Sequence, residues 1–140
     1  MAQTLKKQLG DRGEAIVAEW LRRQGWRIVT RQWHCRWGEL DIVACRAGSQ
    51  ACLTFVEVKT RQRGSLDQGG RLALTLQKQR KLWRSGQAFL LSHSGYEELP
   101  CRFDVALVAP GKVVGALWQQ TVDQSLLSLV DYIEDAFRIE

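Results

Sequence analysis

No stretch of the chain approaches the ~20 consecutive apolar residues of a membrane-spanning helix, so a helical integral membrane protein is excluded. Met1 to Glu14 contains no apolar run, and a secretory signal peptide is therefore not expected there. The four cysteines, Cys35, Cys45, Cys52 and Cys101, include no C-x-x-C pair, which argues against a zinc site. Cys45 and Cys52 flank an expected hairpin and are placed to face each other. The two histidines, His34 and His93, have no partners at ligand spacing. Repeats, low-complexity tracts and internal linkers are also lacking. Together these absences point to a reduced, cytoplasmic protein whose thiols are buried.

What is present fits one compact domain over residues 1–140, with residues 1–9 expected to fray, since domains commonly run to ~100–150 residues. Apolar residues make up 45% and charged residues 25%, the balance of an ordinary globular chain. The net charge of +5 is unevenly spread. Between Lys59 and Arg84 eight basic residues face one acid, Asp67, whereas from Glu97 to Glu140 acids outnumber bases eight to three. A concentrated basic stretch suits a polyanion, because each phosphate contact releases condensed counterions. A solvated basic surface is the other reading.

Local patterns place the elements. Asp11 and Glu14 have the spacing of a capping box, so a helix is expected from near Asp11 to about Gln24. Its apolar face carries Ile16, Val17, Trp20 and Leu21, with Glu19, Arg22 and Arg23 pointing away, and Gly25 ends it. Strands are expected over Trp26 to Trp33, Leu40 to Cys45 and Leu53 to Thr60, the last two forming an antiparallel hairpin across a short turn. Residues 61–71 read as a polar, basic loop. A second helix starts near Thr75, with Leu76, Leu82, Trp83, Gly86 and Leu90 on one side. Strands follow at Arg102 to Ala109 and Val113 to Trp118, and an amphipathic helix at Gln124 to Phe137. The order αβββαββα suggests an α/β fold, a mixed central sheet flanked by helices.

The sharpest chemical feature is a pair of strands, Gly38-Glu-Leu-Asp-Ile-Val-Ala44 and Phe55-Val-Glu-Val-Lys-Thr-Arg61. Side chains alternate along a strand, so Glu39 and Asp41 share one face, opposite Leu40, Ile42 and Ala44. Glu57 and Lys59 likewise share a face, opposite Val56 and Val58. If both apolar sets enter one core, the four charged residues converge, with opposed Cβ atoms ~5 Å apart. Carboxylates so close can hold a divalent cation, and hard oxygen donors suit Mg²⁺ or Mn²⁺. Such an ion assists phosphodiester hydrolysis by polarising the phosphoryl oxygen and acidifying water, while a lysine offsets developing negative charge. Three acids and a lysine on otherwise apolar strands are costly to bury without a purpose. The same residues also fit an exposed ion pair worth ~0–1 kcal/mol.

Asp41 followed by Glu57-x-Lys59 resembles the D…(D/E)-x-K signature of restriction-endonuclease-like nucleases. More closely, these two strands with Arg102-Phe-Asp-Val105 resemble the YraN-like family of bacterial endonuclease-like proteins, from Gly13-Glu14 to Ala136-Phe137. The resemblance implies a restriction-endonuclease-like fold similar to archaeal Holliday junction resolvases. It implies metal ligation by Asp41 and Glu57, with Lys59 as third member and Glu14 assisting from the first helix. It also implies activity on DNA, branched DNA included, and a homodimer if the two symmetric cuts of a resolvase are made. Leu40 stands where the wider superfamily often has proline, and Gln32 where the family commonly shows asparagine.

Secondary candidates carry two readings each. Glu14 otherwise caps the helix beside Asp11, and Glu39 is either a further ligand or a surface acid. Arg61, Arg63, Arg71, Gln77, Lys78 and Lys81 are candidates for phosphate contacts, which position a substrate without selecting sequence. Asp104 either supports the sheet or orients a basic neighbour. Trp33, Trp37 and Trp83 either stack on bases or pack inside. The alternatives to a nuclease are a non-catalytic nucleic-acid-binding module and a protein adaptor using the acidic C-terminal third.

Overall fold

The computed structural model describes residues 2–61 and 74–138. The elements are α1 (Ala2–Arg23), β1 (Arg27–Cys35), β2 (Gly38–Arg46), β3 (Cys52–Thr60), α2 (Leu76–Ser92), β4 (Cys101–Pro110), β5 (Trp118–Val122) and β6 (Ser125–Ile133). The strands form one sheet in the order β1-β2-β3-β4-β6-β5. Among the described residues only β3 and β4 pair in parallel, with α2 in the connection between them; the other pairs are antiparallel. This is an α/β architecture with a mixed six-stranded sheet flanked by two helices, consistent with a restriction-endonuclease-like fold. Among the described residues no helix is long and apolar enough to cross a membrane.

Each face of the sheet has its own core. Ile16, Val17 and Leu21 of α1 pack on Ile42, Ala44, Val56, Ala106, Val108, Leu127 and Leu129. Leu82 and Phe89 of α2 pack on Leu40, Val43, Leu53 and Phe55. Ile42, Val43 and Ala44 thus alternate between the two cores, as pleating requires. The expected antiparallel β2–β3 hairpin is present, pairing Arg46 with Cys52 through Ile42 with Val56. Thr75 caps α2, its hydroxyl accepting the Lys78 N–H at 3.1 Å.

Several expectations need correction. Helix α1 begins at Ala2 rather than near Asp11, so residues 2–9 are helical and Leu9 joins the core. Asp11 is not a cap; its carboxylate accepts a hydrogen bond from Gln32 Nε2 at 2.7 Å. On α2 the buried residues are Leu82, Ser85, Gly86 and Phe89, whereas Leu76 and Trp83 are exposed. The expected strand at Val113 to Trp118 starts only at Trp118, because Gly115, with φ of +81°, turns the chain and leaves Val114 in solvent. The expected helix over Gln124 to Phe137 is strand β6. Cys45 and Cys52 belong to opposite cores rather than facing each other, and all four cysteines are free. Residues 62–71 of the expected loop, with Arg63 and Arg71, lie outside the described residues.

Candidate metal and active site

The site forms where β2 and β3 cease to pair. Their ladder reaches Ile42↔Val56, and the next residue of β2, Asp41, accepts the Val58 N–H through its own Oδ2 at 2.8 Å. The carboxylate takes the bond that a backbone carbonyl would take in a continuing ladder. Alternation also slips here: Leu40 lies in the α2-side core, yet both Asp41 and Ile42 lie toward α1. The expected grouping of Leu40 with Ile42 and Ala44 is therefore incorrect. On the neighbouring strand Gln32 has a φ of +53°, a left-handed conformation that asparagine adopts more readily than glutamine.

Helix α1 brings in Glu14, which is 7% exposed. Gly13 makes this approach possible, because a Cβ there would collide with the Thr60 hydroxyl at the end of β3. Glu14, Glu39 and Asp41 each place a carboxylate oxygen within 4.8 Å of the others. Glu57, 8% exposed, lines the same cavity as Glu14 and Asp41 and is paired with Lys59 at 3.2 Å and Lys78 at 3.5 Å. The cavity measures about 580 Å³ and is completed by Lys6, Leu9, Gly10, Val58, Thr60 and Arg61. Lys59 is not part of the cavity lining; its contact with the cluster is the ion pair with Glu57.

The electrostatics are those of crowded, poorly solvated acids. Burial, then the negative charge of Glu57, pushes Asp41 up to about 8, against the opposing pull of the Val58 N–H. Burial likewise raises Glu14 to about 7, although a hydrogen bond from Gln32 and the charge of Arg31 pull it down. Arg31 stands 3.8 Å from Glu14 Oε1, outside hydrogen-bond reach, and that buried oxygen has no hydrogen-bond partner among the described residues. A buried acceptor without a donor, beside two further carboxylates, fits a divalent cation with hard oxygen ligands. The sequence pattern paired Asp41 with Glu57 for this task; the structure adds Glu14 and Glu39 to Asp41 and keeps Glu57, the leading charge acting on Asp41, in the same cavity.

The remaining candidates divide. Arg61 is exposed at the cavity, its guanidinium donating to the Thr60 carbonyl at 3.1 Å. Gln77 and Lys81 are exposed on α2, and Lys78 faces Glu57. Asp104 is structural: 1% exposed, it accepts from Arg102, from the Tyr132 hydroxyl at 2.6 Å and from the Asp135 N–H. Trp33 packs edge-on against Phe89. His34 lies 3.7 Å from Glu39. Sequence reasoning missed Lys6 and Gly10, because the segment was expected to fray; their helical spacing ahead of Glu14 was the available signal. It also missed Arg36 and Arg84, which both lie over the Trp37 ring. No local pattern links residues so far apart in sequence.

The sequence model of a family described as "Uncharacterised protein family UPF0102" matches residues 13–108. A UPF0102 protein of Synechococcus sp. (strain JA-3-3Ab) is 48% identical over 139 residues, covering 98% of this chain and 96% of that one. Another, from Acaryochloris marina, is 42% identical over 161 residues, covering 98% and 94%. A third, from Thermosynechococcus vestitus, is 52% identical over 102 residues, covering 73% and 81%.

Proposed function

The chain belongs to the YraN-like family UPF0102, and from that starting point we propose that it is a metal-dependent endonuclease hydrolysing phosphodiester bonds in DNA, with branched or structured DNA as the substrate class. The observation that carries this reading is the approach of Glu14, Glu39 and Asp41 oxygens to within 4.8 Å in a cavity shared with Glu57. Carboxylates at such separation, two of them with raised pKa values, gain most from a bound divalent cation.

Glu14, Glu39 and Asp41 would hold Mg²⁺ or Mn²⁺, with Glu57 beside them. When bound, such an ion stabilises charge on a phosphoryl oxygen and makes water easier to deprotonate. The chain's own residues do the positioning. The Val58 N–H holds Asp41 in one orientation. Glu57 is ion-paired with two lysine ammonium groups, Lys59 and Lys78. Lys59 supplies a fixed positive charge where negative charge grows in the transition state. Arg61 is placed to meet a phosphate of the incoming strand. The four free thiols suit a reducing compartment, and we assign the protein to the cytoplasm on that ground.

The test is cleavage of branched and linear DNA by the purified chain with Mg²⁺ or Mn²⁺. Cleavage should fall by about 10²-fold or more in Asp41→Ala and in Glu57→Ala, as it does when one stabilising group is removed from other active sites. DNA binding with no cleavage by the unaltered chain would replace the enzyme with a non-catalytic binding module. Absence of both would leave the adaptor reading.

A further inference from the structure

Several arginines lie over indole rings among the described residues. Arg23, Arg46 and Arg102 each have another partner as well. Arg23 donates to Glu19, Arg46 to the Gln50 carbonyl, and Arg102 to Asp104. Arg46 and Arg102 share the Trp26 ring, and Arg36 and Arg84 share the Trp37 ring. Arg36, in the β1–β2 turn, lies 4.7 Å from the centroid of Trp37, and Arg84, from α2, lies 4.8 Å from it. Among the described residues neither guanidinium has a carboxylate within ion-pair distance. Two positive charges are thus gathered on one indole without an anion to balance them.

The surroundings carry charge of both signs. Beside Trp37 is a cavity of about 230 Å³ lined also by Glu39, Lys78, Lys81 and Ser85. Lys81 and Arg84 stand three residues apart on α2, so they occupy neighbouring positions on its surface. Lys78 is committed to Glu57, whereas Lys81, like the arginines, has no ion pair among the described residues. A guanidinium resting on an aromatic face keeps its N–H edge free and loses little further freedom when it binds an oxyanion. Phosphate, which accepts paired N–H bonds from arginine, is the matching ligand chemistry.

This cavity adjoins the acid cluster through two shared residues. Glu39 lines it and belongs to the carboxylate trio, and Lys78 lines it and pairs with Glu57. We propose that Arg36, Lys81 and Arg84, with Trp37 as the platform that orders the two arginines, form a cradle for the phosphates of a DNA strand flanking the phosphate at the acid cluster. The identity of the polyanion rests on the nuclease reading; the cradle itself does not depend on catalysis. It touches backbone, so its contribution is independent of base sequence.

The test is the salt dependence of binding, measured by fluorescence anisotropy with a labelled duplex and a labelled four-way junction, in EDTA so that no cleavage intervenes. In the Arg36→Ala/Arg84→Ala chain affinity should fall about ten-fold, and the plot of log affinity against log salt should become shallower by roughly 0.9 for each duplex phosphate that is no longer neutralised. Arg84→Gln alone, an exposed helix position that keeps a good helix former, should move both quantities the same way by a smaller amount. Trp37→Leu should weaken binding although it removes no charge. Unchanged affinity and slope in the double variant and in Arg84→Gln would overturn the cradle. If the unaltered chain binds DNA without cutting it and the slopes change as stated, the cradle stands and the nuclease reading falls. If it binds no DNA, both fall.

Discussion

Gly13 and Thr60 are in such close apposition that a β-carbon on the helix residue would strike the threonine hydroxyl. Their contact sets how near α1 comes to the end of β3, and the next helix residue, Glu14, is the one that joins Asp41. Gly13→Ala should therefore destabilise the protein by about 1–3 kcal/mol, the usual cost of overpacking a tight contact. Adding Thr60→Ala removes the obstructing oxygen and should restore most of that loss. Urea unfolding of both variants provides the comparison, and an Ala variant as stable as the parent would show that the helix can simply shift.

The raised acids dictate a pH dependence. Asp41 and Glu14 are pushed up to about 8 and about 7, chiefly by burial. In the unfolded chain both ionise near pH 4. Between those limits the folded state holds protons that the unfolded state has released, so stability without metal should fall as pH rises through this window. Metal displaces the same protons, so Mg²⁺ affinity should climb over the same range. Thermal melts in EDTA and in Mg²⁺, at about pH 6 and about pH 9, should show a larger Mg²⁺-induced rise in Tm at the higher pH. Equal rises at both would contradict the assignment of these acids to the ion.

Asp41→Asn separates stability from chemistry. An asparagine oxygen can still accept the Val58 N–H, but the buried negative charge is gone. In EDTA at alkaline pH this variant should melt above the parent chain while showing no metal-dependent cleavage. A lower melting point would mean that the negative charge itself, through a partner such as Arg31, holds the site together.

Asp104 is predicted to matter for folding rather than for the reaction. It gathers Arg102, the Tyr132 hydroxyl and the Asp135 N–H around one buried carboxylate. Burial and that carboxylate hold the Tyr132 hydroxyl far above the usual phenol range. Asp104→Ala should cost about 3 kcal/mol, because Arg102 loses its buried partner. Tyr132→Phe should cost about 1.5–3 kcal/mol, the loss of one hydrogen bond to a charged group. Urea unfolding measures both, and the metal-induced shift in Tm should survive in each.

The site was more legible in the sequence than the elements at the chain's ends, and the reasons are local. Hairpin β2–β3 announced itself through β-branched residues on either side of a short turn, and it carries Asp41, Glu57 and Lys59. The start of α1 was hidden because Asp11 and Glu14 imitate a capping box, although Asp11 lies inside the helix and its carboxylate accepts from Gln32. Strand β6 was hidden by a bulge. Asp131 lies opposite Leu107 but Leu129 opposite Val108, so Val130 is an extra residue and the two-residue alternation is lost. The remaining apolar spacing imitated a helix. The slip at Asp41 broke alternation in the same way, and with it the sign that Asp41 turns toward α1 and Glu14. Pairings such as Arg84 on Trp37 depend on tertiary packing and leave no local trace.

The parallel pairing of β3 with β4 orders events as the chain collapses. That pairing must wait for the whole intervening segment, α2 included, to close on itself, which is entropically slow. The β1–β2–β3 meander needs only neighbouring residues, and it already contains Glu39, Asp41, Glu57 and Lys59. Three of the acids therefore come together early and repel one another before α2 delivers Lys78, so a divalent ion present during refolding should quicken assembly as well as steady its product.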